Sequence, residues 1–469
     1  MKTLLVNPPI PVTFYNREYY LPSGLLYIGA VLQKEGGDVK LLDLKIFQGK
    51  GQEPSEEFYE SKLIEILQDF QPDLIGIGSL FSGNFPDILR LSRRAKQEKE
   101  HIPIVIGGIH PTLYAKEILE NCPSIDYIVL GEGENSIIEF VKAIKKNRNF
   151  DEIDGFAFRR DGKIIVNSKK KYIENIDIIP FPAYDLVNLE DYYTDTSNWH
   201  NPKQLPINTS IPIITSRSCP NRCTFCSMYE VMGPRWRARS PKNVVDEIEY
   251  FYRKYNHQHF SFMDDNLTLN KQRIIDISNE IVKRKLDIQF ETPNGISINT
   301  LDKKVLDAMV SAGFIRTYLA IESGSDYIRN KIMKKNLSRE KIYEVIDLVK
   351  DYKQLQINAF FIIGMPEETK ETLEETFEMI KKIDANKTLV MNIVPFPGTK
   401  VFEQALRDNL LVDIDIKNLY NATDFYFTNY DRFFIKPYNL SIDDLRDFRK
   451  RCDDLLERRK YNKIKNQKK

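Results

Sequence analysis

The chain carries no excess of charge: 68 Lys and Arg stand against 67 Asp and Glu, a formal net charge of +1 over 469 residues. Proteins that hold nucleic acid by neutralising phosphates need a basic surplus, so no nucleic-acid partner is expected. Long apolar runs are missing too. No stretch reaches the ~18 residues of a membrane span, and the opening MKTLLVNPP is too brief for the apolar core of a secretory signal. These absences point to a cytoplasmic protein with no membrane span. Cysteine is scarce and odd in number: Cys122, Cys219, Cys223, Cys226 and Cys452. In so long a chain this excludes the disulfide framework of small secreted domains. Cys122 and Cys452 stand alone and are expected to be buried or incidental thiols.

What is present begins with length, since single cores stop growing near ~250–300 residues and two or more domains are expected. Residues 1–150 alternate short β-branched or leucine-rich runs (TLLVN, DVKLLDL, PDLIGIGSL, IPIVIGG, IDYIVLG) with amphipathic stretches such as EEFYESKLIEILQDF. That rhythm predicts an α/β, doubly wound, Rossmann-like domain with a parallel sheet. Ligands of such sheets sit beyond the carboxyl ends of the strands, which singles out Ser79 to Ser82, Gly107, Gly108, His110, Gly131 and Glu132. Residues 151–210 read as a hairpin around Asp161-Gly162 and a proline-rich linker. Over 211–395 six further strands alternate with helical patterns, which predicts a partial (β/α)6 barrel. Its chemistry is expected at the carboxyl ends of those strands, where Cys219, Asp264, Asp265, Asn294, Glu322 and Gly364 fall. Residues 396–469 form a small α-rich carboxy-terminal region with an aromatic stretch and a basic tail.

The segment RSCPNRCTFC, residues 217 to 226, places three cysteines with gaps of three and two residues. A structural zinc site needs four ligands, and no second Cys or His pair lies nearby. A redox pair would use two cysteines and leave Cys219 over. A non-enzymatic iron–sulfur carrier usually completes its ligand set with a fourth cysteine. A cubane held by Cys219, Cys223 and Cys226 leaves one iron open to an exogenous chelating ligand, and Pro220-Asn221 supplies the turn that wraps such a loop.

C-x-x-x-C-x-x-C directly after the first strand of a partial α/β barrel resembles the radical S-adenosylmethionine (SAM) superfamily. That resemblance implies a [4Fe-4S] cluster whose open iron chelates SAM, with one-electron reduction cleaving it to methionine and a 5′-deoxyadenosyl radical. It implies a small-molecule or peptide substrate and a reductant such as flavodoxin or ferredoxin. It places Phe225 near the adenine. It sets Asp264 and Asp265 against the methionyl ammonium, Glu322 and Ser323 against the ribose or amino-acid moiety, and Gly364 in the segment along which adenine packs. Arg237, in GPRWRARS with Arg235 and Arg239, is expected to meet a carboxylate or phosphate of cofactor or substrate, because the guanidinium fork suits such groups.

VNPP, PSGLLYIGAVLQKEG, IVIGGIHPT and YIVLGEGE together resemble the cobalamin-binding amino-terminal domain of the cobalamin-dependent class of that superfamily, and IIPFPAYDLV its linker. Many cobalamin proteins take the lower cobalt ligand from D-x-H-x-x-G, whereas LLDLKIFQGKG has no histidine. No histidine ligand to cobalt is expected, and His110 is expected to touch the corrin or its nucleotide tail. The class resemblance implies cobalamin-dependent methylation of an unactivated carbon. Ring closure, oxidation, or a radical enzyme whose amino-terminal domain has no cobalamin are its alternatives.

Overall fold

The computed structural model describes residues 1–10, 20–48, 54–79, 82–421 and 432–467. Leu80 and Phe81, inside the Ser79 to Ser82 segment, lie outside the described residues. The chain divides into two compact units. One gathers Met1–Thr196, Glu230–Ala238 and Asp415–Thr428, the other Ser197–Tyr229, Arg239–Ile414 and Asn429–Lys469.

The first unit is built on a seven-stranded sheet, β1 (Lys2–Asn7), β2 (Asp38–Asp43), β3 (Leu74–Ser79), β4 (Ile104–Gly108), β5 (Tyr127–Val129), β6 (Phe156–Arg160) and β7 (Lys163–Asn167), in the order 2-1-3-4-5-6-7. The first five are parallel. β6 and β7 continue the sheet antiparallel, so the hairpin at Asp161-Gly162 is an edge of this sheet. Both turn residues have positive φ, 49° and 72°, which matches the twist of a two-residue hairpin. Leu4, Val6, Ile75, Ile77, Ile104 and Ile106 bury one sheet face under helices Glu56–Phe70 and Phe85–Glu98. Strand order reverses between β1 and β3, so the crevice for a ligand opens at their carboxyl ends.

The second unit holds six parallel strands in sequential order: β8 (Ile211–Ile213), β9 (His259–Phe262), β10 (Gln289–Ile296), β11 (Phe314–Glu322), β12 (Gln356–Ile363) and β13 (Lys387–Asn392). Neighbouring strands pair in parallel throughout. Each crossover carries at least one helix, several of them opened by a side-chain cap: Ser240 for Pro241–Tyr255, Asn270 for Lys271–Lys283, Asp302 for Lys303–Ser311 and Thr369 for Lys370–Lys382. This is the partial barrel that the alternation predicts. No described helix is long and apolar enough to cross a membrane.

Candidate functional site

In the second unit the expected residues collect at one end of the barrel. Cys219 follows Ser218, whose φ of 70° is left-handed for a residue with a side chain. Asp265 holds that turn, its Oδ2 accepting from Ser218 N at 3.1 Å. Burial pushes Cys226 up to about 12, with the charges of Cys223, Asp265 and Cys219 adding to it. Burial also raises Cys223, against the positive charge of Lys335. The loop is fastened at Thr224, whose N–H donates to Met333 O at 3.1 Å and whose hydroxyl donates to Ile332 O at 3.0 Å; Thr224 O accepts from Val401 N at 3.0 Å. Phe225 packs into a cluster that contains Met333, Met365, Ile393, Val401 and Ile435, which brings it to the segment after Gly364.

The two aspartates at the end of β9 have different tasks. Asp264 is buried and accepts from Thr215 Oγ1 at 2.7 Å, Thr215 N at 3.2 Å and Ser216 Oγ. It ties the end of β8 to the end of β9. Burial raises its pKa against the pull of Arg273 and these hydrogen bonds. Solvent reaches Asp265, yet the protein packed around its carboxylate and the charge of Asp264 push it up to about 6. Of the pair, Asp265 is the one open to an ammonium. Asn294 is exposed and donates to Met263 O at 3.0 Å, bridging the ends of β9 and β10.

Glu322 ends β11 in a left-handed conformation, φ 71°, and its Oε1 lies 2.6 Å from Lys335 Nζ. Ser323 is fully buried, its hydroxyl 3.2 Å from Thr376 Oγ1 and accepting from Ser325 N. Its polar atoms are therefore used inside the fold. Gly364, φ 92°, follows β12, and its N–H and that of Met365 both donate to Glu368 Oε2. Glu368 is fully buried, its other oxygen has no partner among the described residues, and burial pushes it up to about 8. Lys335, Thr224 and Glu368 were not singled out from sequence. A lysine and a carboxylate thirteen residues apart carry no motif, and only the loop after β11 brings Lys335 back to Glu322.

The donor set fits a cluster: three thiols on one short loop, anchored through Thr224 to Met333, Ile332 and Val401, beside an accessible carboxylate. Among the described residues, no three His, Cys, Asp or Glu groups stand as the ligands of one metal ion. A cubane spreads its thiolates over separate irons.

In the first unit the expected residues divide. Ser79 is buried at the end of β3 and its hydroxyl has no partner among the described residues. Gly108, φ 122°, packs so close that a Cβ would stand 2.2 Å from Ser79 O, whereas at Gly107 it would meet nothing nearer than 3.6 Å. Gly131, φ 62°, would bring a Cβ to 2.8 Å from Val231 O. Close backbone, an unspent hydroxyl at Ser79 and an unspent amide oxygen at Asn84 fit a ligand rimmed with amides.

His110 and the Glu132–Arg237 pair lie elsewhere in the fold's economy. The His110 ring is fully buried between Phe85 and Tyr114, with Nε2 2.7 Å from Tyr420 O and Nδ1 3.1 Å from Ser82 Oγ. A carbonyl only accepts, so Nε2 carries the proton and Nδ1 accepts from Ser82. Burial lowers its pKa to about 4, and the ring is neutral. Both ring nitrogens are thus engaged within the fold. Arg237 donates to Glu132 Oε1 at 2.5 Å, to Ile173 O at 2.9 Å and to Met232 O at 2.7 Å. Glu132 also accepts from Ile173 N at 3.0 Å. The two charges answer each other in the interior. Arg235 pairs with Glu174 at the surface, and Arg239 with buried Glu247 in the second unit. Where D-x-H-x-x-G would supply its carboxylate, Asp43 accepts from Tyr192 OH at 2.7 Å, Asn7 Nδ2 at 2.8 Å and Lys45 N at 3.0 Å.

Comparison with known proteins matches a family to part of each unit. Residues 213–380 match the radical SAM superfamily and residues 16–141 the B12 binding domain. An uncharacterized methyltransferase of Pyrococcus horikoshii is 33% identical over 419 residues, covering 88% of this chain and 85% of that one. Cytidylyl-2-hydroxyethylphosphonate methyltransferase of Streptomyces wedmorensis is 27% identical, over 90% of this chain and 84% of its own. Other relatives carry the name anaerobic magnesium-protoporphyrin IX monomethyl ester cyclase. Among solved structures, the radical SAM methyltransferase TsrM of Kitasatospora setae, with cobalamin and a [4Fe-4S] cluster bound, superposes with a TM-score of 0.70 at 18% identity, over 87% of this chain and 75% of that one.

Proposed function

Since the chain belongs to the radical SAM superfamily, in the class that carries a B12 binding domain ahead of the barrel, we propose that it methylates an unactivated carbon of a small-molecule substrate. The observation that carries this reading is the gathering of Cys219, Cys223, Cys226, Asp265, Glu322 and Gly364 at one end of the barrel, beside the anchored cysteine loop. When bound, the [4Fe-4S] cluster supplies the electron for reductive cleavage of SAM, and cobalamin carries the methyl group.

The residues then have separable tasks. The thiolates of Cys219, Cys223 and Cys226 would hold the cluster. Asp265 would accept from the ammonium of SAM, a charge-assisted hydrogen bond. Lys335 balances Glu322 and places a positive charge beside Cys223. Glu368 fixes the backbone at Gly364, in the segment along which adenine would pack. In the first unit, Ser79, Gly108 and Gly131 would receive the corrin, the glycines through their close-packed backbone. The reductant is a flavodoxin or ferredoxin, and the free state of all five cysteines suits the reducing cytoplasm.

Anaerobic reconstitution tests the reading. The expected result is about four irons per chain, one retained corrin, and reductive formation of 5′-deoxyadenosine and methionine from SAM. A preparation that forms these products fully without corrin would replace methylation by a cobalamin-free radical reaction.

A further inference from the structure

The interior face of the barrel has two chemically different halves. On β9 to β11 it is polar and closed on itself. Ser261 Oγ donates to Glu291 Oε1 at 2.9 Å, and Arg316 Nε donates to the other oxygen. Ser210 Oγ lies 2.7 Å from Ser261 Oγ, and His259 Nδ1 lies 2.9 Å from Ser210 Oγ. Because a carboxylate only accepts, the donors run in one direction, from His259 through both serines to Glu291. Burial and the nearby Arg316 charge keep His259 neutral, its pKa lowered to about 3.

On β11 to β13 the same face is open. Register sets Tyr318 beside Asn358, Ala320 beside Phe360, Phe360 beside Leu389 and Ile362 beside Met391. Except for Asn358 these inward residues are only half-buried, whereas the alternate positions Leu319, Ile321, Ala359, Phe361 and Ile363 are fully buried under the helices. Strand alternation thus separates a packed outer face from an accessible inner one. The Tyr318 and Phe360 rings stack at 4.4 Å and 9°.

Two amides stand on this face, half-buried Gln356 at the start of β12 and buried Asn358 two residues on, and the side-chain oxygen of each lacks a partner among the described residues; Asn358 is the one set among the apolar and aromatic residues. Asn358 is 2% exposed, its Oδ1 has no hydrogen-bond partner among the described residues, and it lies between Ile357 and Ala359 in mid-strand. A buried polar group without a partner costs about 1–3 kcal/mol. An apolar residue there would avoid that cost. A ligand that supplies the partner explains why an amide occupies the position.

We propose that this half of the barrel binds the methyl acceptor through a flat, hydrogen-bonding ring of nucleobase type, stacked on the Tyr318–Phe360 pair with its donor–acceptor edge on Asn358. The inference rests on the reading of the barrel as the catalytic unit and names the substrate class for it. A carboxamide presents one donor and one acceptor in a plane, which is the complement of a base edge. Stacking on an aromatic side chain adds to it irrespective of which base is present. The cation of Arg316 is matched by Glu291, so recognition here depends on ring and edge rather than on an anionic group.

The test is calorimetric titration of the reconstituted protein with adenosine, cytidine and uridine, each up to a few mM. The expected result is saturable one-to-one binding of at least one nucleoside, weakened about tenfold or more in Asn358→Leu, as loss of one good hydrogen bond dictates. Leucine is close in volume to asparagine, and thermal melting establishes that the variant folds. Phe360→Leu provides an independent arm that keeps the amide and removes the stack, and it is expected to weaken binding by a similar factor. If no nucleoside binds, or if both variants bind as tightly as the unsubstituted chain, the proposal is overturned. Iron content and SAM cleavage of the unsubstituted protein, taken on the same preparation, report separately on the underlying reading.

Discussion

At the strand ends of the barrel the working groups are side chains, whereas at those of the first sheet they are mostly backbone. The barrel presents thiols, an open carboxylate and a Lys–Glu pair. The first sheet presents glycines that bring main chain close, with one buried hydroxyl. The difference follows from what each is built to hold. A cluster needs covalent donors, while a corrin rimmed with amides needs close approach and hydrogen-bonding main chain. One consequence is that damage in the barrel should be chemical and specific, whereas damage in the first sheet should be steric.

The largest effect is expected from the cysteines. Replacing Cys219, Cys223 and Cys226 by Ala should remove essentially all of the about four irons and the broad visible absorption. Changing Cys122 or Cys452, each buried, to Ser should leave iron content intact. Iron retained by the triple variant would remove the chemical half of the comparison.

Steric damage is next. In Gly108→Ala the new Cβ would meet Ser79 O at 2.2 Å on a backbone with φ 122°, so main chain must move. Melting temperature should fall and the corrin should be lost. Gly107→Ala, with nothing nearer than 3.6 Å, is the control that should keep both. Equal behaviour of the two would show that close backbone approach does not define the site.

Arg237→Met leaves Glu132 buried without its cation, a loss of about 3–5 kcal/mol in denaturant unfolding. The double variant Arg237→Met with Glu132→Gln should recover most of that stability and retain corrin and SAM binding. Loss of cofactor binding in a folded double variant would restore the expectation, formed from sequence, that this arginine meets a cofactor.

A smaller effect concerns pH. Glu368 is pushed up to about 8 from an ordinary 4.5, so the folded state holds a proton that the unfolded state has released between those values. Stability therefore falls as pH rises from about 4.5 to 8, by the proton-linkage relation. Glu368→Gln should flatten that alkaline slope in thermal melts while keeping an acceptor for Gly364 and Met365. His110 works in the opposite direction: lowered to about 4, its neutral form contributes stability that is lost as pH falls from about 6.5 towards 4. The smallest expected change is spectroscopic. Paramagnetic resonance of the cobalt(II) corrin should show no axial nitrogen splitting, and His110→Phe should not alter it.

Much of this was legible in the chain because the signals are local. Alternating apolar runs announced the parallel strands of both sheets, and the cysteine spacing marked the loop proposed to hold the cluster. Glycines at strand ends marked the first site, although which of them is sterically required, Gly108 and not Gly107, depends on how close Ser79 comes from the next strand. The charged residues were the hard case. Arg237 and Asp264 carry the groups that a cofactor would want, and the fold directs them to Glu132 and to Thr215 and Ser216. A side chain's type states what it can bind, but its partner is set by whichever group the fold brings nearest. For the same reason Lys335, Glu368 and Asn358 left no mark in the sequence. Composition, strand rhythm and the three-cysteine loop were determined by the chain itself, through periodicity and spacing over a few residues. Which carboxylate stays open, which charges are paired off and which amide is left without a partner were decided by tertiary structure, because each depends on contacts between strands and loops far apart in sequence.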